Sequence, residues 1–304
     1  MAAEGAHNHQ GNSGMVGHRI DLTLVKDVAY ATRSEAQKLD IYLPARVDGP
    51  RPVILWIHPG GFHCGDKGGN ASSPGAKFSI LELVLPMLER GYSVVSTNYR
   101  LSGEAVFPAA VHDVKAAVRW IRTHASRYDF ARDKIVAWGS SAGGYLATML
   151  ATTGGVEALE DLSMGNADPS SRIAAAVDWY GPVDFLLMDK HHAELGHEAH
   201  VHEAGSPESR FMGAPIFKVR ERCQAATPMT YIGKDSAPLY IQQGKGDLII
   251  PYPQSMMLAE KLSAAIGSEH VVLNLVEKVG HADWGFFKPG NIHKIIDFLD
   301  RYIR

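Results

Sequence analysis

Ile135-Val136-Ala137-Trp138-Gly139-Ser140-Ser141-Ala142-Gly143-Gly144 is the stretch whose reading decides the fold. Its first four residues read as a strand, and residues 142–151, rich in small side chains, read as a helix. Between them the chain reverses in a turn so tight that strand and helix nearly touch. The positions two before and two after the apex must then be small. With Ser141 at the apex those positions are Gly139 and Gly143; with Ser140 they are Trp138 and Ala142, and an indole does not fit. A Gly-x-Ser-x-Gly turn between strand and helix presents its serine as a nucleophile, so Ser141 is the candidate. The plainer alternative is a serine-rich turn that caps a helix.

Working outward, residues 25–30 and 38–43 read as the first two strands. In the second, Leu39, Ile41 and Leu43 alternate with Asp40 and Tyr42, the pattern of a half-solvated strand. Residues 44–52 form a turn. Residues 53–57 are a continuous apolar run, expected of a strand buried on both faces. A loop rich in Gly, Asn and Ser spans 60–75. Residues 80–90 read as a helix stopped by Gly91, and 92–97 as another strand. Residues 108–128 have helical spacing, with Val111, Val114, Val118 and Ile121 on one face. Strands follow at 173–179, 238–243 and 271–276, with a helix at 253–266. Ile292, Ile295, Ile296, Leu299 and Ile303 mark a closing helix.

Eight strands in alternation with helices imply an α/β fold with a mostly parallel sheet wrapped on both faces. The first two strands have no helix between them and are expected as an antiparallel edge. Residues 1–18 read as a flexible tail and 19–304 as one domain. Residues 184–233 break the rhythm, being long, polar and rich in His, Glu and Pro. They read as an insertion over the carboxyl edge of the sheet, a cap or lid.

Composition bounds the function. The chain has 304 residues, a formal net charge of −3, two cysteines and fifteen histidines. The mixed charge gives no electrostatic case for nucleic acid or an anionic membrane. No stretch approaches the ~18 apolar residues of a membrane span. Two cysteines exclude a disulfide scaffold. Residues 1–18 carry no apolar run after a basic start, so no signal peptide is expected. That fits a cytoplasmic protein or a secreted one whose signal has been removed.

Three further groups complete a candidate site. His58-Pro59-Gly60-Gly61-Phe62 follows the apolar strand at 53–57. Its glycines let backbone amides turn toward a ligand, and such amides hold the negative oxygen of a tetrahedral intermediate. Gly61 is the first choice of donor in this loop, with Gly60 next, and the amide of Ala142 is the expected partner. The alternative is a plain glycine turn. His58 precedes the loop and is expected to brace it. His281 lies in the turn Gly280-His281-Ala282-Asp283, and is the one histidine between the last strand and the closing helix. Asp247 ends Gly244-Lys245-Gly246-Asp247, after the strand at 238–243. Both loops fall at the carboxyl edge, in the chain order Ser–acid–His. Asp247 would fix the imidazole tautomer and leave Nε2 of His281 to take the Ser141 proton. Asp283 is too near His281 in sequence to reach back to Nδ1, and Asp235 lies at the wrong end of its strand. His191, His192, His197, His200 and His202 crowd the insertion. Their spacing raises zinc as a reading, but no His-Glu-x-x-His motif is present and a serine triad needs no metal or other cofactor.

With these residues in place, the chain resembles the α/β-hydrolase superfamily of serine esterases. Within it, the chain is similar to the hormone-sensitive-lipase-like group and to bacterial feruloyl and acetyl esterases of plant cell-wall polysaccharides. The resemblance runs over nearly all of residues 21–304. Beyond the triad it rests on Lys38-Leu39-Asp40-Ile41-Tyr42-Leu43-Pro44, Asn98-Tyr99-Arg100-Leu101 and Phe107-Pro108-Ala109-Ala110. It rests also on Ser206-Pro207-Glu208-Ser209 with Gly213-Ala214-Pro215-Ile216, and on Asp247-Leu248-Ile249-Ile250-Pro251. The chain departs from relatives at Pro59, often Gly, and at Lys245, often Asp.

The resemblance implies hydrolysis of short acyl or feruloyl esters, free or linked to a polysaccharide, through an acyl-enzyme. Phe62, Tyr180 and Trp284 are candidates to line an acyl pocket, with core packing as the alternative. Competing functions are an arylformamidase or other amide hydrolase, and a non-catalytic binding protein of the same fold. A peptidase like the prolyl oligopeptidases would need a propeller-sized domain that this chain lacks.

Overall fold

A computed structural model describes residues 21–45, 48–69 and 80–304. The expected tail at 1–18, and the part of the glycine-rich loop beyond Gly69, lie outside these residues. Eight strands form one sheet: β1 Leu22–Ala29, β2 Lys38–Pro44, β3 Arg51–Ile57, β4 Ser93–Thr97, β5 Phe130–Ser140, β6 Ala175–Trp179, β7 Leu239–Gly244 and β8 Val271–Val276. Their spatial order is β1-β2-β4-β3-β5-β6-β7-β8. β1 and β2 are the antiparallel edge, and every pairing from β4 to β8 is parallel. This is the doubly covered sheet that the alternation of strands and helices implied.

The helices among the described residues are α1 Ile80–Glu89, α2 Ala109–Thr123, α3 Ala125–Tyr128, α4 Ala142–Thr152, α5 Phe185–Glu194, α6 Pro207–Met212, α7 Arg220–Ala225, α8 Pro253–Ile266 and α9 Pro289–Ile303. Period-two alternation divides each central strand between two cores. Ile54, Trp56, Val94, Val136, Trp138, Val177 and Trp179 face α1 and α9. Val53, Leu55, Ile57, Val95, Ile135, Ala137 and Ala176 face α2, α4 and α8. Strands buried on both faces need apolar residues at every position, which is why 53–57 reads as an unbroken run.

The structure differs from the sequence expectation in four places. β2 is buried on both faces rather than half solvated. Tyr42 joins the core under α1, and Asp40 is tolerated because Lys67 Nζ lies 3.3 Å from its carboxylate and the Asp27 N–H donates to it at 2.8 Å. The helix expected at 108–128 breaks at His124, whose backbone N–H turns back to the Trp120 carbonyl. β5 begins at Phe130, five residues early; its exposed Arg132, Asp133 and Lys134 hide the strand from an apolar pattern. Residues 184–233 are largely helical, and their underside is apolar. Phe185, Met188, Phe211, Met212 and Ile216 are buried in the same core as Tyr145 of α4. Asp184 and Ser206 cap α5 and α6, accepting the N–H groups of Leu186 and Ser209.

The tightest constraint lies where β5 turns into α4. A Cβ on Gly139 would collide with the Gly143 carbonyl, and one on Gly143 with the Ile57 carbonyl at the end of β3. Both obstacles are backbone and cannot swing aside. Gly143→Ala is therefore expected to destabilise the fold by about 3 kcal/mol. A urea unfolding midpoint equal to that of the unchanged chain would refute this.

Candidate active site

Ser141 sits at the apex of the β5–α4 turn with φ 54° and ψ −122°. A non-glycine residue takes this backbone only under strain, at about 1–3 kcal/mol, and such strain clusters at functional sites. It is held by the Ser141 N–H, which donates to the Trp179 carbonyl at 2.8 Å, and by the Tyr145 N–H, which donates to the Ser141 carbonyl at 3.0 Å.

Two loops from the carboxyl ends of β7 and β8 meet this serine. His281 Nε2 lies 3.0 Å from Ser141 Oγ, and His281 Nδ1 lies 2.8 Å from Asp247 Oδ2. The loops are tied together by the Gly246 N–H, which donates to the Val279 carbonyl at 2.9 Å. Gly244 must lack a side chain because a Cβ there would strike that same carbonyl. Asp247 is buried and its carboxylate is fully engaged. Oδ1 accepts the N–H groups of Ile249 and Ile250 at 2.8 and 2.9 Å, and Oδ2 accepts Gln243 Nε2 at 2.9 Å. These bonds fix the carboxylate and aim Oδ2 at the imidazole. Asp283 instead caps the following turn by accepting the Gly285 N–H, and Asp235 pairs with Lys234.

Beside the serine, the loop after β3 is turned by Gly60 (φ 129°), Gly61 (φ 56°) and Phe62 (φ 64°). The Gly60 carbonyl accepts the N–H groups of His63 and Cys64, which closes the turn. Among the described residues no acceptor takes the N–H of Gly60, Gly61 or Ala142. The contact of Gly143 with the Ile57 and His58 carbonyls brings this loop against the first turn of α4. His58 braces the loop. Its Nδ1 donates to the Pro59 carbonyl at 2.7 Å, its ring stacks on Tyr99 at 4.4 Å, and burial pushes its pKa down to about 4.

The three aromatic candidates fall differently. Phe62 is buried and stacks on Phe211 of α6 at 4.0 Å, so its ring belongs to the core that fastens the insert to the glycine loop. Tyr180 is also buried and stands edge-on to the His281 ring at 4.8 Å. Trp284 is 52% exposed, three residues beyond His281.

Of the insert histidines, His191 meets Gln254, His192 meets the Ile249 carbonyl, His200 lies between Glu198 and Glu203, and His202 pairs with Asp189. Among the described residues no group of three His, Cys, Asp or Glu side chains is placed to hold a metal.

Sequence reading passed over several buried polar groups. Gln243, directly before the acid loop, clamps it from within. Asp178 of β6 lies under the elbow, accepts the Gly181 N–H at 2.8 Å and the Thr148 hydroxyl at 3.0 Å, and is pushed up to about 6 by burial. Glu208 is buried in α6 and pushed up to about 7. Its neighbour Pro207 abuts Gly61, 3.2 Å from where a Cβ there would lie. The available signal was polarity out of place: an Asp inside Ala-Ala-Val-Asp-Trp, and paired Gln at the end of an apolar strand.

This fold defines an α/β hydrolase. Residues 39–262 match the model of the BD-FAE family, and the chain belongs to that family. The resemblance to bacterial esterases read from the sequence is thereby borne out. The chain is 28% identical to a probable carboxylic ester hydrolase, LipM, of Mycobacterium tuberculosis, over 78% of this chain and 51% of that one. It is 28% identical to the esterase LipQ of the same organism, over 82% of this chain and 55% of the relative. The chain thus spans about half the length of these curated relatives. Among solved structures, a truncated carbohydrate esterase from gut microbiota superposes with a TM-score of 0.80 at 28% identity, covering 92% of this chain and 96% of that one. A thermophilic esterase of Thermogutta terrifontis, at 22% identity and a TM-score of 0.63, shares the fold.

The depressed pKa of His58 makes a stability prediction. An unfolded histidine protonates near its ordinary 6.5, whereas the folded one resists until about 4. Its contribution is complete above 6.5 and is lost as pH falls through that window, to about 3 kcal/mol. Asp178 and Glu208, both raised, act oppositely and lose stability as pH rises toward about 6 and about 7. The expected result is therefore a difference: as pH falls from 6.5 to 4, urea-derived stability of His58→Asn should rise relative to that of the unchanged chain. Parallel curves would show that His58 does not titrate this way.

Proposed function

We propose that this chain is a carboxylic ester hydrolase working through an acyl-enzyme, with Ser141 as nucleophile, His281 as general base and acid, and Asp247 as the orienting carboxylate. The observation that carries this reading is the unbroken chain of contacts from Ser141 Oγ through His281 to Asp247, at 3.0 and 2.8 Å. Its chain order and the glycine loop beside it are those of a serine hydrolase. The names of the relatives, ester hydrolases and a carbohydrate esterase, support the same reading.

In this mechanism Ser141 Oγ attacks the ester carbonyl carbon as its proton passes to His281 Nε2. Asp247 accepts the Nδ1–H and stabilises the imidazolium. The carbonyl oxygen, now negative, takes hydrogen bonds from the unpaired N–H groups of Ala142 and Gly61, with Gly60 adjacent. Each such donor is typically worth about 10²–10³ in turnover. His281 then returns the proton to the leaving alcohol, the C–O bond breaks, and an acyl-Ser141 remains. Water attacks the acyl carbon as its proton passes to His281 Nε2, which then returns that proton to Ser141 Oγ as the C–O bond to the serine breaks and the acid leaves.

The substrate we assign is a short acyl or feruloyl ester, free or on a polysaccharide. The exposed face of Trp284 beside the histidine loop gives an aryl group or sugar ring a surface to stack on. Neither charge excess nor metal is required.

Ser141→Ala should lower kcat for p-nitrophenyl acetate by at least about 10⁴-fold and abolish labelling by a fluorophosphonate. Hydrolysis near the unchanged rate would sink the assignment, and a chain that neither labels nor hydrolyses would be a binding protein. Trp284→Ala should raise KM for methyl ferulate more than for p-nitrophenyl acetate, by about 2–10-fold. Equal effects on both esters would remove Trp284 from the substrate site.

A further inference from the structure

The acid loop after β7 has an anchoring problem. Leu248 and Ile249, which follow Asp247, are 67% and 58% exposed, so their side chains do little to hold the loop. Yet the N–H groups of Ile249 and Ile250 must both point at Asp247 Oδ1. From inside, Gln243 Nε2 donates to Asp247 Oδ2 and to the Ile250 carbonyl. From outside, among the described residues, one polar group of the insert reaches the loop: His192, near the end of α5, whose Nε2 lies 3.2 Å from the Ile249 carbonyl.

A peptide unit is planar and rigid, and its C=O and N–H point in opposite directions. The Ile249 carbonyl and the Ile250 N–H belong to one such unit. A donor that fixes the carbonyl therefore also fixes the N–H that grips Asp247. The carbonyl accepts, so Nε2 of His192 carries the hydrogen in this contact. Nδ1 is then a bare lone pair, buried and with no hydrogen-bond partner. The ring is 97% buried by its 3% exposure, and burial lowers its pKa, which keeps it a neutral donor. The titratable groups acting on it are His197, with ring centroids 5.9 Å apart, Asp189 and Asp247.

We propose that His192 is a positioning residue for Asp247, acting through the Ile249–Ile250 peptide, so that the insert is a working part of the triad's support. This rests on the reading above, in which Asp247 orients His281. It assigns no contact between His192 and substrate.

The test compares His192→Ala, His192→Gln and His192→Asn, with kcat expressed per site titrated by fluorophosphonate, so that poorly folded protein is not counted. Labelling and Ser141-dependent hydrolysis by the unchanged enzyme test the function separately. Glutamine carries an N–H donor to about the position of Nε2, whereas asparagine reaches only that of Nδ1. A small misplacement at a catalytic group costs up to about 10²-fold. His192→Ala and His192→Asn should lose about 10–100-fold in kcat with KM within about twofold, and His192→Gln should recover most of the loss. A displaced Asp247 stabilises the imidazolium that forms during catalysis less well. The acid limb of kcat/KM should then move to lower pH in the alanine and asparagine variants. Unchanged kcat per titrated site, a loss with no movement of the acid limb, or a glutamine variant as impaired as alanine would each overturn the proposal. If the alanine variant fails to fold, the glutamine–asparagine comparison alone decides.

Discussion

The close approach of Gly139, Gly143 and the Ile57 carbonyl is the constraint on which the rest of the site depends. Ile57 and Gly139 are paired in register on adjacent parallel strands. α4 must start directly above that pair, and only glycine leaves room for it. Three consequences follow from this one contact. Ser141 is forced into a strained backbone at the apex. Its hydroxyl is lifted clear of the sheet. The loop leaving β3 is laid against the first turn of α4, and among the described residues no acceptor takes the N–H of Gly60, Gly61 or Ala142. The strain is offset from below, where the Trp179 carbonyl accepts the Ser141 N–H and Asp178 ties Gly181 to Thr148 of α4.

Much of this was legible because the governing physics is local. A tight strand–helix turn imposes residue sizes at fixed offsets, so Gly139 and Gly143 select Ser141 over Ser140 without any structure. Buried parallel strands impose unbroken apolar runs, and 53–57 reads as one. Chain order at the carboxyl edge singled out Asp247 and His281 from many acids and fifteen histidines. What was not legible depends on partners distant in sequence. Asp40 and Tyr42 alternate like solvated residues, but Lys67 and the α1 core bury them. Phe62 reads as a pocket aromatic until Phe211, far along the chain, stacks on it. Gln243 and His192 carry no motif; their parts are set by which backbone groups the fold brings to them.

Three buried ionisable groups lie around the candidate site. Asp178 lies under the elbow, Glu208 next to the residue that packs on Gly61, and His58 at the head of the glycine loop. Each has its charged form disfavoured by burial. An apolar residue at any of these positions would avoid that desolvation cost. Perturbed ionisable groups cluster at functional sites, although structural ion-pair networks, such as Lys115 and Arg119 of α2 with Glu160, perturb them too.

The insert draws these strands together. Its composition suggested a solvated lid, but its underside meets the glycine loop through Phe185, Pro207 and Phe211 and the acid loop through His192. Phe211 stacks on Phe62, Pro207 closes on Gly61, and His192 holds Ile249. The candidate oxyanion donors and the orienting carboxylate thus lean on one segment between β6 and β7. Such a segment cannot vary freely to change the substrate surface above it, because its lower face is constrained by the groups it supports. Divergence is freer on the outer face, where Glu194, Glu198, His200, Glu203 and Glu221 are exposed. Among the described residues the histidines are accordingly of two kinds: exposed rings such as His200 on a permissive surface, and enclosed ones, buried His58 and His192 and half-buried His281, each fixed by a backbone carbonyl or a carboxylate.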